Sequence, residues 1–199
     1  MPILTAKVGK NCDLFPDILE MYVHAGSRIL DLTYGRGVFW QKADRSKYKV
    51  VTNDIKCPAD YSYDLRDTGF SAGEFDVVIL DPPYMHGGKT VKPSINQCYL
   101  NENGDHRSIV ALYEAGLRES WRLLPPKGLV VVKCQDETES GKQQLTHVEV
   151  FQAAIEIGYK CLDLFVLVQS TIPAMRVSYQ KSARKNHSYF MVFQRKGKV

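Results

Sequence analysis

The sequence predicts an α/β fold: a mostly parallel, seven-stranded sheet with helices on both faces and an antiparallel hairpin at one edge. Three observations carry this. Short apolar runs alternate with helix-spaced segments, the order that builds parallel strands joined by covering helices. Runs such as Val77-Val78-Ile79-Leu80 are apolar at every position, as a strand buried on both faces must be. The last two runs are joined without a helix, which makes them an antiparallel pair.

The strands read in order as 28–32 (RILDL), 48–53 (YKVVTN), 75–80, 128–133 (GLVVVK), 162–168 (LDLFVLV) and 188–193 (SYFMVF), with a weaker seventh around 61–65. Helical spacing covers 16–24, 38–46, 108–124 and 148–157. In the third of these, Ile109, Leu112, Tyr113, Leu117, Trp121 and Leu124 fall on one stripe, and Pro125, Pro126 and Gly128 stop it. Residues 1–199 are expected to form one domain. The segment 85–107, rich in Gly, Asn and Lys, has no pattern of its own and is expected to be a flexible substrate loop.

Composition narrows the class. Hydrophobic content of 44% and charged content of 24% are ordinary for a globular protein. No apolar stretch approaches the ~20 residues that span a bilayer, and the first residues lack a signal-peptide core, so a cytoplasmic protein without a membrane partner is expected. The five cysteines are scattered and form no CxxC pair, so neither a disulfide framework nor a zinc site is indicated, and no metal is expected. Net charge is only +4, but no acidic residue follows Asp163, while Arg176, Lys181, Arg184, Lys185, Arg195, Lys196 and Lys198 do. That stretch suits a polyanionic partner, or equally an edge strand guarded by cations.

Two places carry chemistry. The first strand runs into DLTYGRG at 31–37, where Gly35 and Gly37 allow a sharp turn and close approach to a ligand. Asp54 closes the next strand, 23 residues after Asp31, placed to accept hydrogen bonds from ribose hydroxyls or, alternatively, to cap a helix. A pyrophosphate would want a third small residue where Trp40 stands, so a nucleoside-type cofactor without phosphates fits better. The second place is Asp81-Pro82-Pro83-Tyr84, directly after the apolar run 77–80. Neither proline can donate to a ladder, so the strand ends at an acid followed by a stiff corner. Arg184, Lys185, Asn186 and His187, before the last strand, are candidates for phosphate contact at a hairpin tip, with Lys89 and Lys92 of the 85–107 loop behind them.

Taken together, DLTYGRG, NDI at 53–55 and DPPY at 81–84 resemble the S-adenosylmethionine-dependent amino-methyltransferases of nucleic-acid bases, the DPPY family. The resemblance runs over most of the chain and implies a Rossmann-like class I methyltransferase fold with S-adenosylmethionine as cofactor. It places Phe15 and Pro16 (FPDIL at 15–19), Asp31, Thr33, Gly35, Gly37, Asp54, Ile55, Asp64 and Leu65 (DLRD at 64–67) at the cofactor. It makes Asp81, Pro82, Pro83 and Tyr84 catalytic: the Asp81 carboxylate and Pro82 carbonyl accept the hydrogens of an amino group, and Tyr84 stacks on a flipped base. Two departures stand out, the bulky Tyr34 beside the turn and the lack of a segment long enough for a separate target-recognition domain. The expected substrate is adenine N6 of DNA. RNA bases, cytosine N4 of DNA, and a non-catalytic nucleic-acid-binding subunit stay open as alternatives.

Overall fold

The computed structural model describes residues 2–83, 85–86, 100–101, 105–169 and 182–197. Among them run β1 (Ala6–Val8), α1 (Asn11–Tyr22), β2 (Arg28–Asp31), β3 (Lys49–Thr52), β4 (Val77–Leu80), β5 (Met85–His86), β6 (Leu100–Asn101), α2 (His106–Leu123), β7 (Leu129–Cys134), β8 (Glu137–Glu139), β9 (Lys142–Gln144), α3 (Thr146–Ile157), β10 (Tyr159–Val168) and β11 (His187–Arg195). The main sheet has seven strands in the order β1-β10-β11-β7-β4-β2-β3, and β5-β6 and β8-β9 form two small ribbons. The pairs β2·β3, β2·β4, β4·β7 and β1·β10 are parallel; β10·β11 and β11·β7 are antiparallel.

Each central strand feeds two cores because successive side chains point to opposite faces. Ile29, Val77, Ile79, Val131 and Phe190 pack with Leu14, Phe15, Ile18 and Leu19 of α1. Leu30, Val78, Leu80, Val130 and Val132 pack with Ile109, Tyr113 and Leu117 of α2 and Val150 and Ala154 of α3. At Gly116 the helix α2 presses on β4 so closely that a Cβ would sit 2.8 Å from Leu80 Cδ1. The expected fold class therefore holds, helices on both faces included.

Several details differ from the sequence reading. The seventh strand is β1, which pairs with β10 outside the hairpin, whereas 61–65 makes only an isolated bridge, Asn53 to Tyr61. There the Asn53 side chain replaces the ladder, accepting from Tyr63 N at 2.8 Å and donating to Tyr63 O at 3.0 Å. Helix α1 starts five residues before Pro16, which is tolerated inside it while Leu14, Phe15, Ile18 and Leu19 are buried. The segment 38–46 forms two 3₁₀ turns, Val38–Gln41 and Arg45–Lys47, in place of a helix. Asp44 interrupts it, its carboxylate accepting from Ser46 N at 3.1 Å and so offering the backbone a turn instead. The 85–107 loop gives up 106–107 to α2, and its two-residue strands β5 and β6 pair in parallel; most of the rest lies outside the described residues. Cys12, Cys134 and Cys161 are free, and Cys98 lies outside the described residues. No described helix is long and apolar enough to cross a membrane.

Candidate active site

The C-terminal ends of β2, β3, β4 and β7 and the start of β11 lie along one edge of the sheet. Strand order reverses at β2: β3 lies on one side of it and β4 on the other. In a doubly wound sheet that reversal opens a crevice, and ligands bind there. Both sequence motifs project into this edge.

The glycine turn follows β2. Gly35 and Gly37 have φ of 57° and 65°, and a Cβ on Gly37 would lie 2.4 Å from the Tyr34 hydroxyl oxygen. Tyr34 therefore folds back across the turn, with the Arg45 guanidinium 5.9 Å from its ring centroid. The turn is tied to the end of β3, since Tyr34 N donates to Asn53 O at 3.0 Å and Gly35 N to Asp54 Oδ2 at 2.8 Å. The other Asp54 oxygen accepts from Lys56 N at 2.8 Å and Cys57 N at 2.7 Å. Asp54 thus caps its own loop and the glycine turn together. A carboxylate offers about four acceptor positions, so one is left for a ligand hydroxyl.

Asp31, Asp81 and Lys133 extend β2, β4 and β7 on the face that buries Ile29, Ile79 and Val131. Asp31 is 3% exposed and accepts from Trp40 Nε1 at 2.7 Å. Burial pushes its carboxyl up to about 7; the bonds from Trp40 and Thr33 oppose this, and the charges of Asp81 and Asp54 add to it. Asp81 has its side chain 19% exposed, with Lys133 Nζ 3.3 Å from Oδ1 and 3.4 Å from Oδ2. Burial raises the Asp81 carboxyl above its ordinary value, and Lys133 pulls the other way. Asp81 N donates to Thr33 Oγ1 at 2.7 Å, so one hydroxyl joins the acid corner to the glycine turn. Pro82 is buried behind Asp81 and Pro83 half-buried.

Other expected site residues are spread more widely. Phe15 is fully buried, 5.2 Å from the Phe39 ring and 5.0 Å from that of Trp40, and supports the turn from behind. Pro16 is half-buried beside it. Ile55, 59% exposed next to Asp54, offers an apolar face at the mouth of the edge. Asp64 accepts from Arg66 Nε and from its backbone N, both at 2.9 Å, and that guanidinium holds its carboxyl below the usual range. Leu65 packs on the α2 core. His187 opens β11 opposite Val168 and is not at a hairpin tip; Gln169 N donates to Asn186 O at 2.6 Å. Lys185 Nζ donates to Gln143 Oε1 at 2.8 Å, and Arg184 precedes it. This run shares the sheet edge with Asp81, β11 being next to β7. Tyr84, Lys89 and Lys92 lie outside the described residues.

Two groups escaped the sequence reading. Lys133 had a signal, a lone cation in an otherwise apolar strand run, VVVK. A ring cluster had none, because its members come from distant segments. Asp136, 5% exposed, lies 2.7 Å from His147 Nδ1 and accepts from the Tyr189 hydroxyl at 3.3 Å, and the rings of His147 and Tyr189 stack at 4.1 Å.

No protein-family model and no curated protein matches the chain. Solved structures do share the fold. A SAM-dependent methyltransferase from Methanosarcina mazei is 12% identical with a TM-score of 0.58, covering 90% of this chain and 97% of its own. The Burkholderia thailandensis 1,6-didemethyltoxoflavin-N1-methyltransferase, holding S-adenosylhomocysteine, is 12% identical with a TM-score of 0.60, covering 94% and 79%. TrmN from Thermus thermophilus is 17% identical with a TM-score of 0.58, and the chain spans 92% of itself but only 48% of that protein. The chain shares its Rossmann-like fold with these SAM-dependent methyltransferases.

Proposed function

We propose that this chain transfers a methyl group from S-adenosylmethionine to the exocyclic amino group of a base in nucleic acid, with adenine N6 of DNA as the preferred target. The observation that carries the reading is the clasp between Asp81 N and Thr33 Oγ1. It sets a rigid acid corner one hydrogen bond from a glycine turn suited to a nucleoside. The residues fit that cofactor: Gly35 and Gly37 hold the tight turn at positive φ, Asp54 keeps room for one ribose hydroxyl, and Ile55 offers an apolar face to an adenine. Asp64 could turn to the adenine amino group by releasing Arg66, an exposed pair worth about 0–1 kcal/mol.

The cofactor supplies an electrophilic methyl on a sulfonium. A base amine is a weak nucleophile because its lone pair is delocalised into the ring. The Asp81 carboxylate and Pro82 carbonyl accept its two hydrogens and turn the lone pair towards the methyl group. As the new N–C bond forms, the S–C bond breaks and its electron pair stays on sulfur. The nitrogen then sheds one proton, for which Asp81 is the nearest base. Pro82 and Pro83 fix these acceptors in advance, so little reorganisation is needed. Tyr84 is assigned the base-stacking role by the family resemblance. Arg184 and Lys185, on the same sheet edge as Asp81, would hold phosphates.

The test is incubation with methyl-labelled S-adenosylmethionine and either DNA or RNA, followed by nucleoside analysis. The expected product is N6-methyladenine from DNA. Label in RNA nucleosides alone would move the assignment to the second reading, and label in neither polymer would end it.

A further inference from the structure

We propose that Lys133 is a positioning residue that holds the Asp81 carboxylate in its ionised, hydrogen-accepting state and fixes its orientation at the base site. This rests on the role given to Asp81 above. Lys133 is 2% exposed on a strand whose other residues are apolar or thiol. A buried ammonium is costly unless it is paired. Its Nζ lies almost equally far from the two Asp81 oxygens, 3.3 and 3.4 Å. Both oxygens accept from it, which orients the carboxylate, and each keeps a further lone pair for an incoming amine. Tyr113, from α2, donates to Lys133 O at 2.8 Å and pins the strand at this residue.

The need for a cation follows from the surroundings. Among the described residues, the ionisable groups around Asp81 are Asp31 on β2, with Asp54 beyond it, and Lys133, Cys134 and then Asp136 on β7. Lys133 is the single cation in that set. Without it, a buried Asp81 beside Asp31 would take up a proton. A protonated carboxyl presents a donor towards the amine, and the geometry for transfer is lost. An opposite charge at this range moves a carboxyl by about 1–3 pH units.

The experiment is a carboxyl carbon-13 titration of aspartate-labelled protein, with the Asp81 signal identified by its loss in Asp81→Asn. In the wild type Asp81 is expected to be ionised at the pH where transfer is fastest, and a protonated Asp81 there would overturn the proposal. In Lys133→Met the midpoint should rise by about 1–3 units, and Lys133→Arg should restore it. An unmoved midpoint in a folded Lys133→Met would also overturn it. If Lys133→Met does not fold, Asp81→Asn/Lys133→Met should, because the pair is then removed together, and the wild-type titration still decides. The acid limb of the transfer rate should move with the midpoint, while the KM for S-adenosylmethionine stays fixed. The titration needs no substrate. A protein that titrates as expected yet methylates no nucleic acid would refute the proposed function and leave the Asp81–Lys133 coupling standing.

Discussion

The two halves of the active edge treat their carboxylates differently. On the glycine-turn side, Asp31 and Asp54 are held by uncharged donors, an indole N–H and backbone N–H groups. On the corner side, Asp81 faces an ammonium, and Arg184 and Lys185 lie just before β11, two strands away on the same sheet edge. Hydrogen bonds from neutral groups orient a carboxylate without cancelling its charge. Asp31, pushed up to about 7 by burial, ionises more fully as a positive charge approaches, so the turn side favours a cationic ligand, as a sulfonium with an amino group is. The corner side is neutralised internally and bordered by cations, which suits a base carried on a polyanion. The two ligands of the proposed reaction can thus be sorted by charge before any shape is read.

Changes on one side should therefore leave the other side's ligand alone. The largest effect on binding is expected from Asp54→Ala, which should weaken S-adenosylmethionine binding by about 1.5–3 kcal/mol in calorimetry while nucleic-acid affinity stays the same. An equal weakening of both affinities would break the division. Next, Trp40→Phe removes the indole donor to Asp31 and should lower folding stability by about 1–3 kcal/mol in denaturant titration.

Asp31→Asn gives a pH-dependent effect. The folded carboxyl sits at about 7, above its ordinary value. Its contribution to stability is therefore complete below the ordinary carboxylate range and is lost as pH rises through about 7. Cofactor-free wild type should thus lose several degrees of Tm between about pH 4 and pH 7 that Asp31→Asn retains, with no further divergence above about pH 8. The smallest change concerns the polymer. Arg184→Ala/Lys185→Ala should weaken binding to all DNA sequences and leave cofactor affinity unchanged. The salt dependence should flatten by up to about 0.9 for each phosphate that is no longer neutralised. Normal binding with more aggregation would mark the pair as an edge guard instead.

The sheet was legible because its strands are continuous apolar runs, and α2 because its stripe is long. The glycine turn and the Asp81 corner were legible because a strand that meets Gly35 and Gly37, or Pro82 and Pro83, must change course there. What escaped was set by interactions between distant segments. β1 is three residues of AKV, too short to show a period, and exists because β10 offers an edge. The expected helix after Gly37 gave way to Asp44, whose side chain bonds locally, and to Trp40, drawn inward by Asp31. Lys133 stood out as a lone cation in an apolar run, but its partner Asp81 is identified by the register Leu80–Val132, which sets its strand beside β4.

The most direct test of the catalytic assignment measures two quantities on one variant, Asp81→Ala. S-adenosylmethionine should bind within about twofold of wild type, since the glycine turn and Asp54 are untouched. Methyl transfer to DNA should fall by about a thousandfold or more, as expected when a preorganised transition-state interaction is removed. Retained transfer with intact cofactor binding would contradict the assignment, because the acid at the end of β4 would then not be the group that orients the amine.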